Sequence, residues 1–225
     1  MLKAIVFDFD GVLANSEPLH LQAYQDVLAF EGIALAENDY YTRYLGYDDV
    51  GAFAAIAKDR GRAWGPADIE RLVQRKAVRF ERLEDEVSVL FPGAANAVRR
   101  ASIAYPIAIA SGARGEEIHR VLDREDLQSC FTAIVAAEDT PRSKPAPDPY
   151  LRVVDLLREK LGSIEPADCV ALEDSRWGLQ SARAAGLRTV GVAQTYERSA
   201  LAEADLVIET IDDIDLLALA RLCSS

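Results

Sequence analysis

The chain opens on an apolar run of strand length, Leu2-Lys3-Ala4-Ile5-Val6-Phe7, that closes in Asp8-Phe9-Asp10-Gly11. A nearly continuous apolar run rich in β-branched and aromatic residues predicts a strand buried on both faces. Residues i and i+2 of a strand share a face, so Asp8 and Asp10 are expected to point toward one pocket. Two buried like charges repel, and one pKa is strongly raised, unless a cation sits between them. Open α/β sheets bind ligands at the C-terminal ends of their strands, so an acid pair there suggests a metal and covalent chemistry. The same residues also suit a plain turn, with Gly11 supplying a positive φ.

Beyond residue 90 the grammar is strand and helix in alternation. Strands are expected over 106–110, closed by Ser111-Gly112, and over 131–136, closed by Glu138-Asp139. The loop Ser143-Lys144-Pro145-Ala146-Pro147-Asp148-Pro149 opens a helix to Leu161, with Asp148 expected as its cap. A strand over 169–172 ends in Glu173-Asp174-Ser175, and further strands follow at 189–192 and 206–208. Repeated βα units with apolar strands predict a parallel sheet covered on both faces. Residues 15–90 interrupt this alternation with helical patterns, near 17–31, in two short helices around Gly46, and over 66–86. The expected fold is therefore α/β: a doubly wound parallel-sheet core, residues 1–14 and 91–225, with an inserted helical cap domain, residues 15–90.

Charge and composition narrow the partners. A net charge of −12 argues against nucleic acid, whose binding rests on neutralising phosphates. An anionic substrate would then need local positive charge from a divalent cation, a few Lys or Arg, or helix N-termini. No apolar run reaches membrane-spanning length and no signal peptide is evident, so a cytoplasmic protein without a membrane partner is expected. Cys130, Cys169 and Cys223 lack metal spacing and read as reduced thiols. In the helical insertion, Lys76 falls in the apolar stripe Ile69, Leu72, Val73, Phe80 and Leu83. It either snorkels to the edge or faces a cleft that holds an anion. Tyr40, Tyr41, Tyr44 and Tyr47 cluster with Arg43, as packed surface or as a wall that selects a polar substrate. His20 lies beside the α-helical stripe and is given no catalytic role.

Four stretches then stand in order at strand ends: FDFDGVLANSEPLH (7–20), IAIASG (107–112), SKPAPDPY (143–150) and ALEDS (171–175). Together they resemble the motifs of haloacid dehalogenase-superfamily phosphohydrolases with a small helical cap, the group that includes β-phosphoglucomutase and phosphoglycolate phosphatase. The resemblance covers the whole chain. It implies Asp8 as the nucleophile that forms an aspartyl-phosphate and Asp10 as general acid and base. Ser111, Gly112 and Lys144 would bind phosphate. Mg²⁺ would be held by Asp8, the Asp10 backbone carbonyl, and Glu173 with Asp174. Lys76 and Arg43 would be substrate-facing cap residues, and the cap would close on hinges near 14–16 and 88–92. The implied activity is Mg²⁺-dependent hydrolysis of a small phosphorylated metabolite, a sugar phosphate, by a monomer or weak dimer. A phosphosugar mutase of the β-phosphoglucomutase type is the alternative. The arginine those mutases carry just after Gly46 is absent, and Tyr47-Asp48-Asp49 stands there instead.

Overall fold

A computed structural model of the chain describes residues 1–45, 47 and 49–224. Gly46 and Asp48, where a break between short helices and an acid were expected, lie outside the described residues. The chain divides into two compact units, Met1–Asn15 with Leu90–Ser225, and Ser16–Val89.

The larger unit is built on six parallel strands: β1 (Ala4–Phe7), β2 (Ile107–Ala110), β3 (Phe131–Val135), β4 (Cys169–Glu173), β5 (Arg188–Val192) and β6 (Leu206–Ile208). Their order is β3-β2-β1-β4-β5-β6. The chain winds outward in one direction from β1 and in the other from β4, so the strand order reverses at β1 and β4, where such sheets open a crevice for ligands. Every residue of β1, β2 and β4 is buried. That burial is why these strands read as unbroken apolar runs and not as alternating ones.

The smaller unit is all helical: α1 (Glu17–Phe30), α2 (Glu37–Asp39), which runs into a π-helical turn over Tyr40–Tyr44, α3 (Asp49–Asp59) and α4 (Pro66–Glu86). Pro18 sits in the first turn of α1, and Gly32, at φ 70°, takes the left-handed conformation that ends it. At α4, Pro66 opens the helix and Asp68 accepts the Gly65 N–H at 3.1 Å. Leu21, Tyr24, Leu28, Phe53, Ile56 and Leu72 form the core of this unit.

In the larger unit the helices are α5 (Ala94–Ala104), α6 (Gly115–Arg124), α7 (Asp148–Leu161), α8 (Arg176–Ala184) and α9 (Leu216–Leu222). Tyr150, Val153 and Leu157 of α7 and Ala182 of α8 pack on one face of the sheet, against Val6, Ala108 and Ala171. Residues of the opposite parity, Ile5, Phe7, Ile107 and Ile109, are equally buried. None of the described helices is long and apolar enough to cross a membrane.

Candidate active site

Strand register assembles the site. Phe7 pairs with Leu172 of β4, and the Asp8 N–H continues the ladder to the Leu172 carbonyl at 2.9 Å. Asp8 and Glu173 therefore leave neighbouring strand ends side by side. The strand itself stops at Phe7, so Asp8 and Asp10 do not share a pleated face as expected from i, i+2 spacing. They stand on a tight loop in which Phe9 C=O accepts the N–H groups of Leu13 and Ala14 at 2.8 and 2.9 Å. Asp8 is buried and Asp10 exposed.

Carboxylate oxygens of Asp8, Glu173 and Asp174 lie within 4.8 Å of one another, and all three residues are buried. The Lys144 ammonium stands between two of them, 2.8 Å from Asp8 Oδ1 and 2.6 Å from Glu173 Oε1. Burial disfavours that ammonium, but the Asp8 and Glu173 charges outweigh it and hold its pKa above the ordinary lysine value. Burial and then the Asp8 charge push the Glu173 carboxyl upward. The same two causes raise Asp174 to about 7, against a hydrogen bond from Thr195. Both acids shift up despite the lysine because three carboxylates face one ammonium, which leaves two negative charges uncompensated.

That surplus matches a divalent cation. The Glu173 Oε2 atom is fully buried with no hydrogen-bond partner among the described residues. The clustered donors are carboxylate oxygens without histidine or cysteine, a hard set suited to Mg²⁺. The residues present thus fit the expected metal.

Two glycines keep these carboxylates in place. A Cβ on Gly11 would stand 1.9 Å from Asp174 Oδ2, and Gly11 itself is at φ 78°. A Cβ on Gly178, in the first turn of α8, would stand 1.8 Å from Glu173 Oε2. Alanine favours a helix interior by about 1 kcal/mol over glycine. Gly178→Ala is nevertheless expected to lower Mg²⁺ affinity by about 10–100-fold by displacing Glu173. Calorimetric titration with Mg²⁺ checks this, and unchanged affinity would mean that the Glu173 carboxylate tolerates the displacement.

Ser111, Gly112 and Lys144 line a cavity of about 300 Å³ with Thr140 and Ser143. Ser111 Oγ accepts the Ala113 N–H at 3.0 Å, which leaves its own proton to donate. Ser111 does not cap α6. The Phe9 N–H donates to Asp8 Oδ1 at 2.7 Å. Asp148 is no helix cap either. Its carboxylate receives both the Arg142 Nε, at 3.0 Å, and the Arg142 Nη2, at 2.8 Å.

Three partners are absent from the sequence reading. Tyr150, fully buried, donates its hydroxyl to Glu173 Oε1, and burial followed by the Glu173 charge holds its proton on. Its signal is its place as the last residue of the stretch 143–150. Gln194 Nε2 donates to the Gly11 and Val12 carbonyls at 3.1 and 3.0 Å, and the Thr195 hydroxyl donates to the Gly11 carbonyl at 3.3 Å. They pin the loop that carries Asp10, and nothing in the local sequence marks them.

Within the helical unit, Lys76 is buried, not snorkelled to an edge. Its ammonium donates to Asp49 Oδ1 at 2.8 Å and to His20 Nδ1 at 2.7 Å. Burial, with the Lys76 charge, lowers the His20 pKa to about 4, so the ring is neutral and accepts. Tyr24 donates to the same Asp49 oxygen at 2.6 Å. Arg43 pairs elsewhere, with Asp59 at 2.5 Å. Tyr40 and Tyr44 are buried and donate to Glu17 and Asp59, while Tyr41 and Tyr47 are exposed.

A family model described as haloacid dehalogenase-like hydrolase matches residues 2–186. Hexitol phosphatase B of Escherichia coli is 33% identical over 211 residues, which is 91% of either chain. Protein CbbY of Rhodobacter capsulatus is 33% identical over 204 residues, 88% of either chain. Among solved structures, CbbY of Rhodobacter sphaeroides in complex with phosphate superposes with a TM-score of 0.77 at 27% identity, over 97% of this chain and 99% of that one.

Proposed function

This chain belongs to the haloacid dehalogenase-like hydrolases, and from that membership we propose that it is a Mg²⁺-dependent phosphatase that hydrolyses a sugar phosphate through a phosphorylated Asp8. The observation that carries the reading is the Lys144 ammonium between Asp8 and Glu173 at the strand ends, with two negative charges left for a divalent ion. The relative named hexitol phosphatase B supports a phosphorylated polyol or sugar as substrate.

Asp8 attacks phosphorus, an Asp8 Oδ–P bond forms, and the bond from phosphorus to the leaving oxygen breaks. Asp10, exposed beside it in the chain, protonates the leaving alkoxide and then takes a proton from the water that cleaves the Asp8 phosphate. Lys144, the Ser111 hydroxyl and the Gly112 N–H hold the phosphoryl oxygens. Asp8, the Asp10 carbonyl, Glu173 and Asp174 would hold Mg²⁺. When bound, the ion offsets repulsion between the attacking carboxylate and the phosphate dianion.

We assign the phosphoryl chemistry to the α/β core, residues 1–14 and 91–225, and substrate selection to the helical cap, residues 15–90, with Lys76 first and Arg43 second. The Lys76 charge is already offset by Asp49, which favours hydrolysis over a mutase that needs a second cationic phosphate site. The free cysteines fit a reducing, cytoplasmic setting.

A phosphate-release screen with Mg²⁺ over hexose, hexitol and pentose phosphates, phosphoglycolate and nucleotides tests this. One sugar or polyol phosphate is expected well above the rest. If β-glucose-1-phosphate with a trace of the bisphosphate gives glucose-6-phosphate faster than inorganic phosphate, the mutase reading replaces this one.

A further inference from the structure

One face of the helical unit carries features that the chemistry above does not use. Phe30, at the end of α1, is 78% exposed and Val78, on α4, is 51% exposed. Both line a groove of about 780 Å³ with Arg71, Gln74, Arg75 and Arg82. The Arg75 guanidinium lies over the Phe30 ring at 4.9 Å. Large apolar side chains left this open in company mark an interaction surface more often than a lone exposed aromatic does.

The charge pattern along α4 selects the occupant. Arg71, Val78 and Asp85 follow one another at seven-residue intervals, which places them on one stripe of the helix, and all three are exposed. Gln74 and Arg82 flank the stripe, and Glu81 stands at its border, exposed as well. The stripe is basic at its N-terminal end, apolar in the middle and acidic at its C-terminal end. A second copy of α4 laid antiparallel across it, with the two-fold axis at Val78, sets Arg71 and Arg75 each against an acid and no like charges of these residues against one another. Val78 meets Val78 of the other copy, Arg71 meets Asp85, Arg75 meets Glu81, and Gln74 meets Arg82. Symmetry makes every unlike pair twice. A parallel arrangement would instead set Arg71 on Arg71 and Asp85 on Asp85.

We propose that this α1–α4 face is a self-complementary docking surface through which two copies of the chain pair, α4 against α4, antiparallel about Val78. The intrachain bonds that Arg71 makes, to Glu31 at 3.1 Å and Asp68 at 3.5 Å, are at the surface and cheap to exchange. The matched stripe, residues 71–85, is about 21 Å long and its apolar centre is small, so the pair is a weak one, with a Kd on the order of 10 µM or above.

Sedimentation velocity of the whole chain between about 5 and 500 µM tests it. The expected result is a concentration-dependent shift from monomer to dimer. Val78→Asp is expected to leave only monomer. Arg71→Asp alone sets acid against acid and is expected to do the same, as is Asp85→Arg alone. The double charge swap, Arg71→Asp with Asp85→Arg, restores the unlike pairs and is expected to restore the dimer. A thermal melt of each variant separates lost pairing from lost folding. Wild type that stays monomeric at 500 µM overturns the proposal. So does a dimer that ignores the single variants, or one that the double swap fails to restore. A monomer that instead binds an acidic amphipathic peptide at this face also overturns it, and gives the surface to another protein.

Discussion

Replacing Asp8 with asparagine is expected to abolish phosphate release while the protein stays folded and, without metal, at least as heat-stable as wild type. The amide is not a nucleophile, so no phosphorylated intermediate forms, and turnover should fall by more than about 10⁴-fold. Stability should move the other way. The Asp8 charge is one of the forces that push both Glu173 and Asp174 upward. Removing it relieves a site that holds one ammonium among three carboxylates. Asparagine keeps an Oδ1 to accept the Phe9 N–H, and Lys144 keeps Glu173 at 2.6 Å. Phosphate release with Mg²⁺ and a thermal melt with chelator read the two effects separately. Turnover near that of wild type would remove Asp8 from the chemistry. A melting temperature several degrees lower would mean that the carboxylates are not in excess.

Lys144→Met is expected to cost both activity and fold. It leaves Asp8 and Glu173 buried without their shared cation, which is worth about 3–5 kcal/mol when one partner of a buried ion pair is removed. The sign of its pH dependence follows from the carboxylates. With the cation gone, the Glu173 and Asp174 carboxyls, already raised by burial and held down in part by the Lys144 charge, rise further above their values in the unfolded chain, so the folded state takes up protons first as pH falls. The deficit should therefore be largest near pH 8 and shrink toward pH 5. Urea unfolding at both pH values, with chelator present, measures it. A deficit independent of pH would assign the loss to packing of the lysine stem. Arginine should not substitute, since a planar fork does not fit between two carboxylates that a compact ammonium bridges.

Much of this was legible in the chain because buried parallel strands announce themselves. Unbroken apolar runs such as Ile107–Ala110 and Cys169–Leu172 have no other use at that length. Polar residues clustered just past those runs then gather in space, because parallel strands end on one side of the sheet. Asp8, Lys144, Glu173 and Asp174 meet for that reason. The reading failed where the outcome depends on which of several groups takes a side chain first. Asp148 has the chemistry of a helix cap, but Arg142 takes its carboxylate. Lys76 sits on an apolar stripe, and only the packed helical unit reveals Asp49 and His20 as its partners. The close approach of Glu173 to Gly178 and of Asp174 to Gly11, 1.8 and 1.9 Å from where a Cβ would stand, is set by the packed structure, which no spacing rule carries. The i, i+2 argument for Asp8 and Asp10 assumed a strand through both, but the strand ends at Phe7, so the spacing rule did not apply to them.

The two passages of chain that bound the helical insertion are tied to each other inside the α/β unit. Ala14 and Leu90 form an antiparallel bridge, and the Phe91 N–H donates to the Leu13 carbonyl at 2.9 Å. The insertion thus leaves and re-enters the sheet through a single doorway, already closed by backbone hydrogen bonds. A segment attached in this way behaves as an exchangeable cassette. It can be lengthened, replaced by another helical module or cut to a short turn without shifting the strand ends where the carboxylates stand. Descent with modification can accordingly recast the insertion while the carboxylates at the strand ends are inherited intact.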